Sequence, residues 1–259
     1  MPEEIDIPAS FADVDGVTGK RVVITGASRG LGRLLAHAFS QGGARVALVA
    51  RTEADLKAVA EELPGPSLVL GGDVTDQAFN DAIADAIVAE WGGVDVWICN
   101  AGISPILAGP RQTDPSVWRE ILEVNLTAAF LGARAAARVM REGGRLIFTG
   151  SVLGERPRAG LTAYSASKAG LVGMAKGLAL DLAPSGITVN VVAPGWFDSP
   201  MAERWKNNPE LGAGVLGHTA QQRWGASTDL ACAYQFLASD ASAFVTGTVL
   251  NVDGGYLLV

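Results

Sequence analysis

Tyr164 and Lys168 stand four positions apart in the stretch YSASK, residues 164–168. On an α-helix this spacing stacks two side chains on one face. A free phenol titrates at about 10 and is a poor base at neutral pH. A cation at short range favours the phenolate and lowers that value. Such a pair is suited to giving a proton to an oxygen atom or taking one from it. Only Ser165, Ala166 and Ser167 lie between the two, so bulk is kept away from both.

A second stretch, TGASRGLG at 25–32, has a different chemistry. Gly26, Gly30 and Gly32 follow an apolar run and precede a helical pattern. Glycines in that position allow a tight turn and bring backbone N–H groups close to a pyrophosphate at a helix N-terminus. The next apolar run ends in Ala50, Arg51 and Thr52, where an NAD-binding chain places an acid for the ribose 2′-hydroxyl. Arg51 there, with Arg29 inside the glycine loop, suits a 2′-phosphate instead, because arginine grips phosphate bidentately. NADP(H) is therefore expected over NAD(H). Glu53 is read as the start of the following helix, where an acid suits the dipole. Asp73 in GDVTD and Asn100, Ala101 and Gly102 in CNAG follow two further apolar runs. Ligands bind at such strand ends in α/β sheets.

The elements that must hold these groups alternate along the chain. Strands are expected at 21–25, 45–50, 67–71, 94–99, 145–150, 188–193 and 248–252, and most are continuously apolar, the pattern of parallel strands covered on both faces. Helical patterns span 30–41, 53–62, 76–91, 115–142, 162–183 and 227–238, with Asp76, Asp114 before Pro115, and Ser227 as capping residues. Alternation with short links predicts an α/β fold: one doubly wound, Rossmann-like domain with a seven-stranded, mostly parallel sheet and helices on both faces. Residues 1–18 read as an N-terminal arm, 19–259 as the domain, and about 196–224 as a lid over the substrate.

Composition limits the function classes. A net charge of −7 over 259 residues argues against nucleic acid or an anionic membrane as partner. No apolar run approaches the ~18 residues of a membrane span, and the acidic start MPEEIDIPAS lacks the features of a signal peptide. A cytoplasmic location is expected. Cys99 and Cys232 lack metal spacing, no metal site is expected, and Cys99 reads as a buried free thiol.

TGASRGLG, NAG, VNLTAAF, TGS, YSASK and VAPG occur in an order and spacing that resemble the short-chain dehydrogenase/reductase family, over roughly residues 18–259. The resemblance implies a catalytic set of Asn125, Ser151, Tyr164 and Lys168. Tyr164 would exchange the proton, Ser151 would bond the same oxygen, Lys168 would also bond the nicotinamide ribose, and Asn125 would hold a relay water. Asn125 is an odd choice for a helix interior by propensity. In PGWFDS, Ser199 stands where the family often has threonine against the carboxamide. The expected cofactor contacts are Gly26, Ser28, Arg29, Gly30, Leu31, Gly32, Arg51, Thr52, Asp73, Val74, Asn100, Ala101, Gly102, Tyr164, Lys168, Pro194, Gly195 and Ser199.

Val152, Leu153, Trp196, Phe197, Met201 and Trp205 read as an apolar pocket under a mobile cover, and Trp224 as packing. Glu155, Arg156 and Arg158 read either as reaching a polar substrate end or as solvated loop charges. His37 and His218 read as lying away from the chemistry. Gly170, Gly173 and Gly177 cost helix stability, so close helix approach is expected there. The resemblance implies a homotetramer or homodimer through the helices at 115–142 and 162–183 and the last strand.

The leading expectation is an NADP(H)-dependent oxidoreductase that interconverts a small-molecule ketone and secondary alcohol. Alternatives are a 3-oxoacyl thioester (acyl carrier protein) reductase, with Arg134, Arg138, Arg141 and Lys176 as a docking face, and a sugar-acid or polyol dehydrogenase. A non-catalytic cofactor-binding regulator is a reading from another class, disfavoured by the complete four-residue set.

Overall fold

The apolar runs become strands where their β-branched residues are covered on both sides. The computed structural model describes Ile7 and residues 16–105, 107–199 and 202–259, with the side chain of Arg204 excepted. Among these, β1 (Arg21–Thr25), β2 (Arg45–Ala50), β3 (Ser67–Gly71), β4 (Val94–Cys99), β5 (Met140–Thr149), β6 (Thr188–Pro194) and β7 (Val249–Val252) form one sheet. Its order is β3-β2-β1-β4-β5-β6-β7, and every pairing is parallel. The expected antiparallel admixture is absent among the described residues.

Helices α1 (Gly30–Gln41), α2 (Glu53–Glu62), α3 (Gln77–Trp91), α4 (Pro115–Leu122), α5 (Ala128–Val139), α6 (Thr162–Leu182), α7 (Glu203–Lys206), α8 (Pro209–Leu216) and α9 (Ser227–Ala238) supply the crossovers and the cover. One apolar cluster joins Trp97, Phe148, Ile83 and Leu171. A second, on the other face, joins Ile24, Ile98, Phe39 and Tyr234. Each fully buried large side chain contributes about 1.5–3 kcal/mol. Strand order reverses between β1 and β4, and such a switch point opens a crevice at the strands' carboxyl ends.

Four expectations change. The helix expected over 115–142 is interrupted by a π-helical turn, Glu123–Thr127, and ends at Val139. β5 therefore starts at Met140, five residues early, and its register against β4 shifts between Val94 and Val96. Gly143, with φ of +85°, supplies the bend. Asp76 and Asp114 cap their helices, accepting from the N–H groups of Ala78 and Ser116. Ser227 does not: the cap position is Ala226, whose N–H donates to Asp229. The arm also ends earlier than residue 18, because Val17 is buried in the core and Thr18 donates to the Gly42 carbonyl. Residues 1–6 and 8–15 lie outside the described residues.

Candidate active site

β1 ends at Thr25, and the chain turns through Gly26 (φ +71°) and Gly30 (φ +54°) into α1. A Cβ on Gly32 would stand 2.0 Å from the Gly26 carbonyl oxygen, so the loop closes only on glycine. Neighbouring Ser28 is half-buried and Arg29 exposed. Arg29 is the N-cap of α1, and no side chain caps its first N–H groups, leaving them to an external acceptor. Thr25 ties this loop to the next strand end: its Oγ1 accepts from the N–H groups of Asn100 (2.9 Å) and Ala101 (3.0 Å), and Asn100 Nδ2 donates to its carbonyl (2.9 Å).

Arg51 and Thr52 are exposed just beyond β2, and neither the Arg29 nor the Arg51 guanidinium has a partner among the described residues. Glu53 is drawn away by Lys57 at 2.7 Å. Asp73 Oδ1 folds its own turn, accepting from Thr75 N and Oγ1, both at 2.9 Å. Val74 shares a small cavity with Thr25 and Ala101. These groups fit a dinucleotide carrying an extra phosphate on its ribose.

The four residues expected to handle the proton converge at the same edge. Ser151 follows β5, and its Oγ accepts from the Leu153 N–H at 3.1 Å, which starts a single 3₁₀ turn. Tyr164 and Lys168 lie on one face of α6, with Nζ 5.6 Å from the phenol ring centre. Nζ is buried and donates to the Thr149 carbonyl at 2.8 Å. Asn125, in the π-helical turn, clasps the loop after β4: Oδ1 accepts from Ile103 N (2.7 Å), while Nδ2 donates to Ile103 O (3.0 Å) and Ser167 Oγ (3.1 Å). Gly102 sits between, since a Cβ there would be 3.3 Å from Asn125 Oδ1 and 3.5 Å from Lys168 Nζ.

Burial pushes the Tyr164 phenol above its ordinary value, and a hydrogen bond with Ser151 only partly offsets this. Burial also brings Lys168 down to about 8. In the free protein burial therefore outweighs the ammonium; the expected lowering joins Lys168 with the positive charge of an oxidised nicotinamide, which would add to it in the complex.

Thr149 escaped sequence reading. Its carbonyl holds Lys168, and its hydroxyl donates to Asn100 Oδ1 (3.2 Å) and shares a bond with Tyr234 (2.8 Å). A backbone acceptor leaves no sequence signal, but two hydroxyls on buried elements are a signal that was available.

Val152, Leu153, Trp205, Val215 and Tyr256 form a third apolar cluster, against which Tyr164, Trp196, Leu211 and Trp224 pack. The lid expected over 196–224 contains α7 and α8. Trp196 meets Trp205 edge-on at 4.9 Å and Trp224 at 6.3 Å. Phe197 falls outside this cluster: it packs toward the second core cluster and lies over Gly225, where a Cβ would be 2.5 Å from its ring. Trp196 thus packs in the cluster that includes Tyr164, while Phe197 turns to the second core cluster. Pro194 and Gly195 end β6, and Ser199 follows half-buried. Met201 lies outside the described residues. His37 is buried against Glu62 at 2.9 Å, and His218 is exposed on the lid.

Residues 26–257 match a family model described as enoyl-(acyl carrier protein) reductase. The chain is 39% identical over 243 residues to the 3-oxoacyl-[acyl-carrier-protein] reductase FabG of Escherichia coli (strain K12), covering 93% of this chain and 98% of that one. It belongs to the short-chain dehydrogenase/reductase family. Solved structures agree. A short-chain type dehydrogenase/reductase from Mycobacterium marinum is similar with a TM-score of 0.87 at 34% identity, covering 95% of this chain and 99% of that one. A short chain dehydrogenase from Burkholderia cenocepacia J2315, solved in complex with NADP, gives 0.84 at 34% identity, covering 94% and 100%. As a family member the chain is an oxidoreductase. No helix among the described residues is long and apolar enough to cross a membrane, and none of their side chains cluster as metal ligands.

Proposed function

We propose that this chain uses NADP(H) to interconvert a ketone and a secondary alcohol, with Tyr164 as the acid and base. What supports the reading is one observation: Tyr164, its hydrogen-bonded Ser151 and buried Lys168 share the sheet edge with a loop that only glycine can close. Gly26, Ser28, Gly30, Leu31 and Gly32 would hold the pyrophosphate, and Arg29, Arg51 and Thr52 the ribose phosphate. Asp73, Val74, Asn100, Ala101 and Gly102 would flank the adenosine and nicotinamide ends, and Pro194, Gly195 and Ser199 the carboxamide. When bound, NADPH supplies the hydride.

Tyr164 delivers its proton to the carbonyl oxygen as negative charge develops there. Ser151 donates to the same oxygen and stabilises that charge. Lys168, fixed by the Thr149 carbonyl, contributes its cation and reaches toward the ribose hydroxyls. Asn125 sets the loop through Ile103 and reaches Ser167; one lone pair of its Oδ1 is left over for a relay water. In the oxidative direction the proton path reverses.

The relatives named as 3-oxoacyl-[acyl-carrier-protein] reductases favour a 3-oxoacyl thioester among the possible substrates. Of the docking face expected at Arg134, Arg138, Arg141 and Lys176, the first two pair with Asp81, and Arg138 also with Asp85, which reduces their share of free positive charge. A panel of ketones, 3-oxoacyl thioesters and sugar acids, followed by NADPH consumption, tests the reading. Turnover of at least one class is expected; none on any carbonyl would favour a cofactor-binding regulator.

A further inference from the structure

Arg158 occupies an unusual place. It lies in the loop between Ser151 and Tyr164, and its guanidinium carbon stands 5.0 Å from the Trp205 ring centre and 5.6 Å from that of Trp196. α8 passes above, where a Cβ on Gly214 would be 3.6 Å from Nη2. Both indoles belong to the apolar cluster that touches Tyr164.

The two ring faces attract a cation but leave its in-plane N–H groups unfilled. Among the described residues, Arg158 Nη1 is buried with no hydrogen-bond partner, and so is Trp196 Nε1. Among the described residues no carboxylate pairs with the guanidinium. Arg156, two residues earlier, shows the contrast: it stacks on Tyr256 and donates to the carbonyl oxygens of Tyr256 and Val259. Arg158 as a whole is half-buried, but a buried donor left unfilled is costly until an acceptor pairs with it. An acceptor arriving with the substrate would fill such donors in the cluster against which Tyr164 packs. Arginine pairs best with a planar oxyanion. Because the guanidinium lies beneath the lid, that anion belongs to the substrate's small head and not to a phosphate on a long carrier arm.

We propose that Arg158, with Trp196 Nε1 as a second unfilled donor in the same cluster, is the receptor for a substrate carboxylate, so that this chain reduces a free oxo acid to the hydroxy acid. The proposal rests on the ketone–alcohol reading and narrows its substrate class away from the thioester. In the step, the ketone carbon takes a hydride from NADPH and its oxygen takes the Tyr164 proton. NADPH is oxidised, and the carboxylate is unchanged.

The test uses a series of methyl-ketone acids whose oxo group lies two to six carbons from the carboxylate, beside their methyl esters and N-acetylcysteamine thioesters. The parent, Arg158→Leu and Arg158→Lys are compared by kcat/KM. For the best length, the acid is expected to exceed its ester on the order of 10–100-fold, the worth of a charged hydrogen bond. Arg158→Leu should collapse that ratio toward one, and Arg158→Lys should keep part of it. A parent that favours the esters or thioesters at every length, or a ratio untouched in Arg158→Leu, overturns the proposal. Calorimetric titration with hexanoate and hexanamide gives a readout without turnover. Binding of hexanoate alone, lost in Arg158→Leu, supports the receptor even if the parent reduces no ketone, which would instead refute the ketone–alcohol reading. Equal or absent binding of the two overturns the receptor.

Discussion

At the scale of single residues, burial works against both members of the proposed catalytic pair, Tyr164 and Lys168. Lys168 is charged below about pH 8 and neutral above it. If, as proposed, the cation supports the developing oxyanion, the reductive rate should fall as pH rises through about 8. A pH profile of kcat/KM shows this directly, and a profile flat to pH 10 would remove Lys168 from the chemistry. The same depressed value has a stability consequence. Between about 8 and 10.5 the unfolded chain binds the proton that the folded one has lost, so folding strengthens as pH rises across that window. Lys168→Met should therefore melt higher than the parent at pH 7, by a margin that shrinks toward pH 10.5 in thermal scans. The Tyr–Lys spacing made this pair legible in the sequence. The raised phenol was not, because burial depends on what α6 packs against.

At the scale of elements, the phosphate loop was readable because glycine spacing carries a steric meaning that composition alone does not. Gly32→Ala should abolish NADPH binding in fluorescence titrations, as its Cβ would overlap the Gly26 carbonyl oxygen. For the end of β2, Arg51→Ala is expected to weaken NADPH on the order of 10–100-fold while NADH changes little; tighter NADH binding in the parent would refute the 2′-phosphate reading. Asn125 was an anomaly in an expected helix, and the π-helical turn resolves it. The wider turn turns its amide toward Ile103 and Ser167, and no propensity scale foresees that. β5 likewise began early because a Gly143 bend, invisible to an apolar count, extended its pairing. The pocket was half legible: apolar residues could be grouped, but which side Trp196 and Phe197 face is decided by the backbone after Gly195.

At the scale of the whole molecule, the alternation of apolar runs and helical patterns was enough to expect the sheet, and its parallel pairing follows from joining successive strands through helical crossovers and not hairpins. The glycines of α6 divide in a way the sequence could not show. Gly170 is explained within the chain, where a Cβ would meet Leu126 at 2.9 Å, whereas Gly173 and Gly177 face open space. Leu180 and Phe130 are exposed on α6 and α5. We propose that these faces meet another copy of the chain, since such apolar exposure favours association. Leu180→Glu with Phe130→Glu should lower the mass measured by light scattering, and a monomeric parent would contradict the proposal.

The most direct measurement pairs NADPH affinity with turnover in Tyr164→Phe. Affinity should stay close to that of the parent while the rate on the parent's best carbonyl falls about 10²–10⁴-fold. Undiminished turnover would show that the proton comes from somewhere other than this phenol.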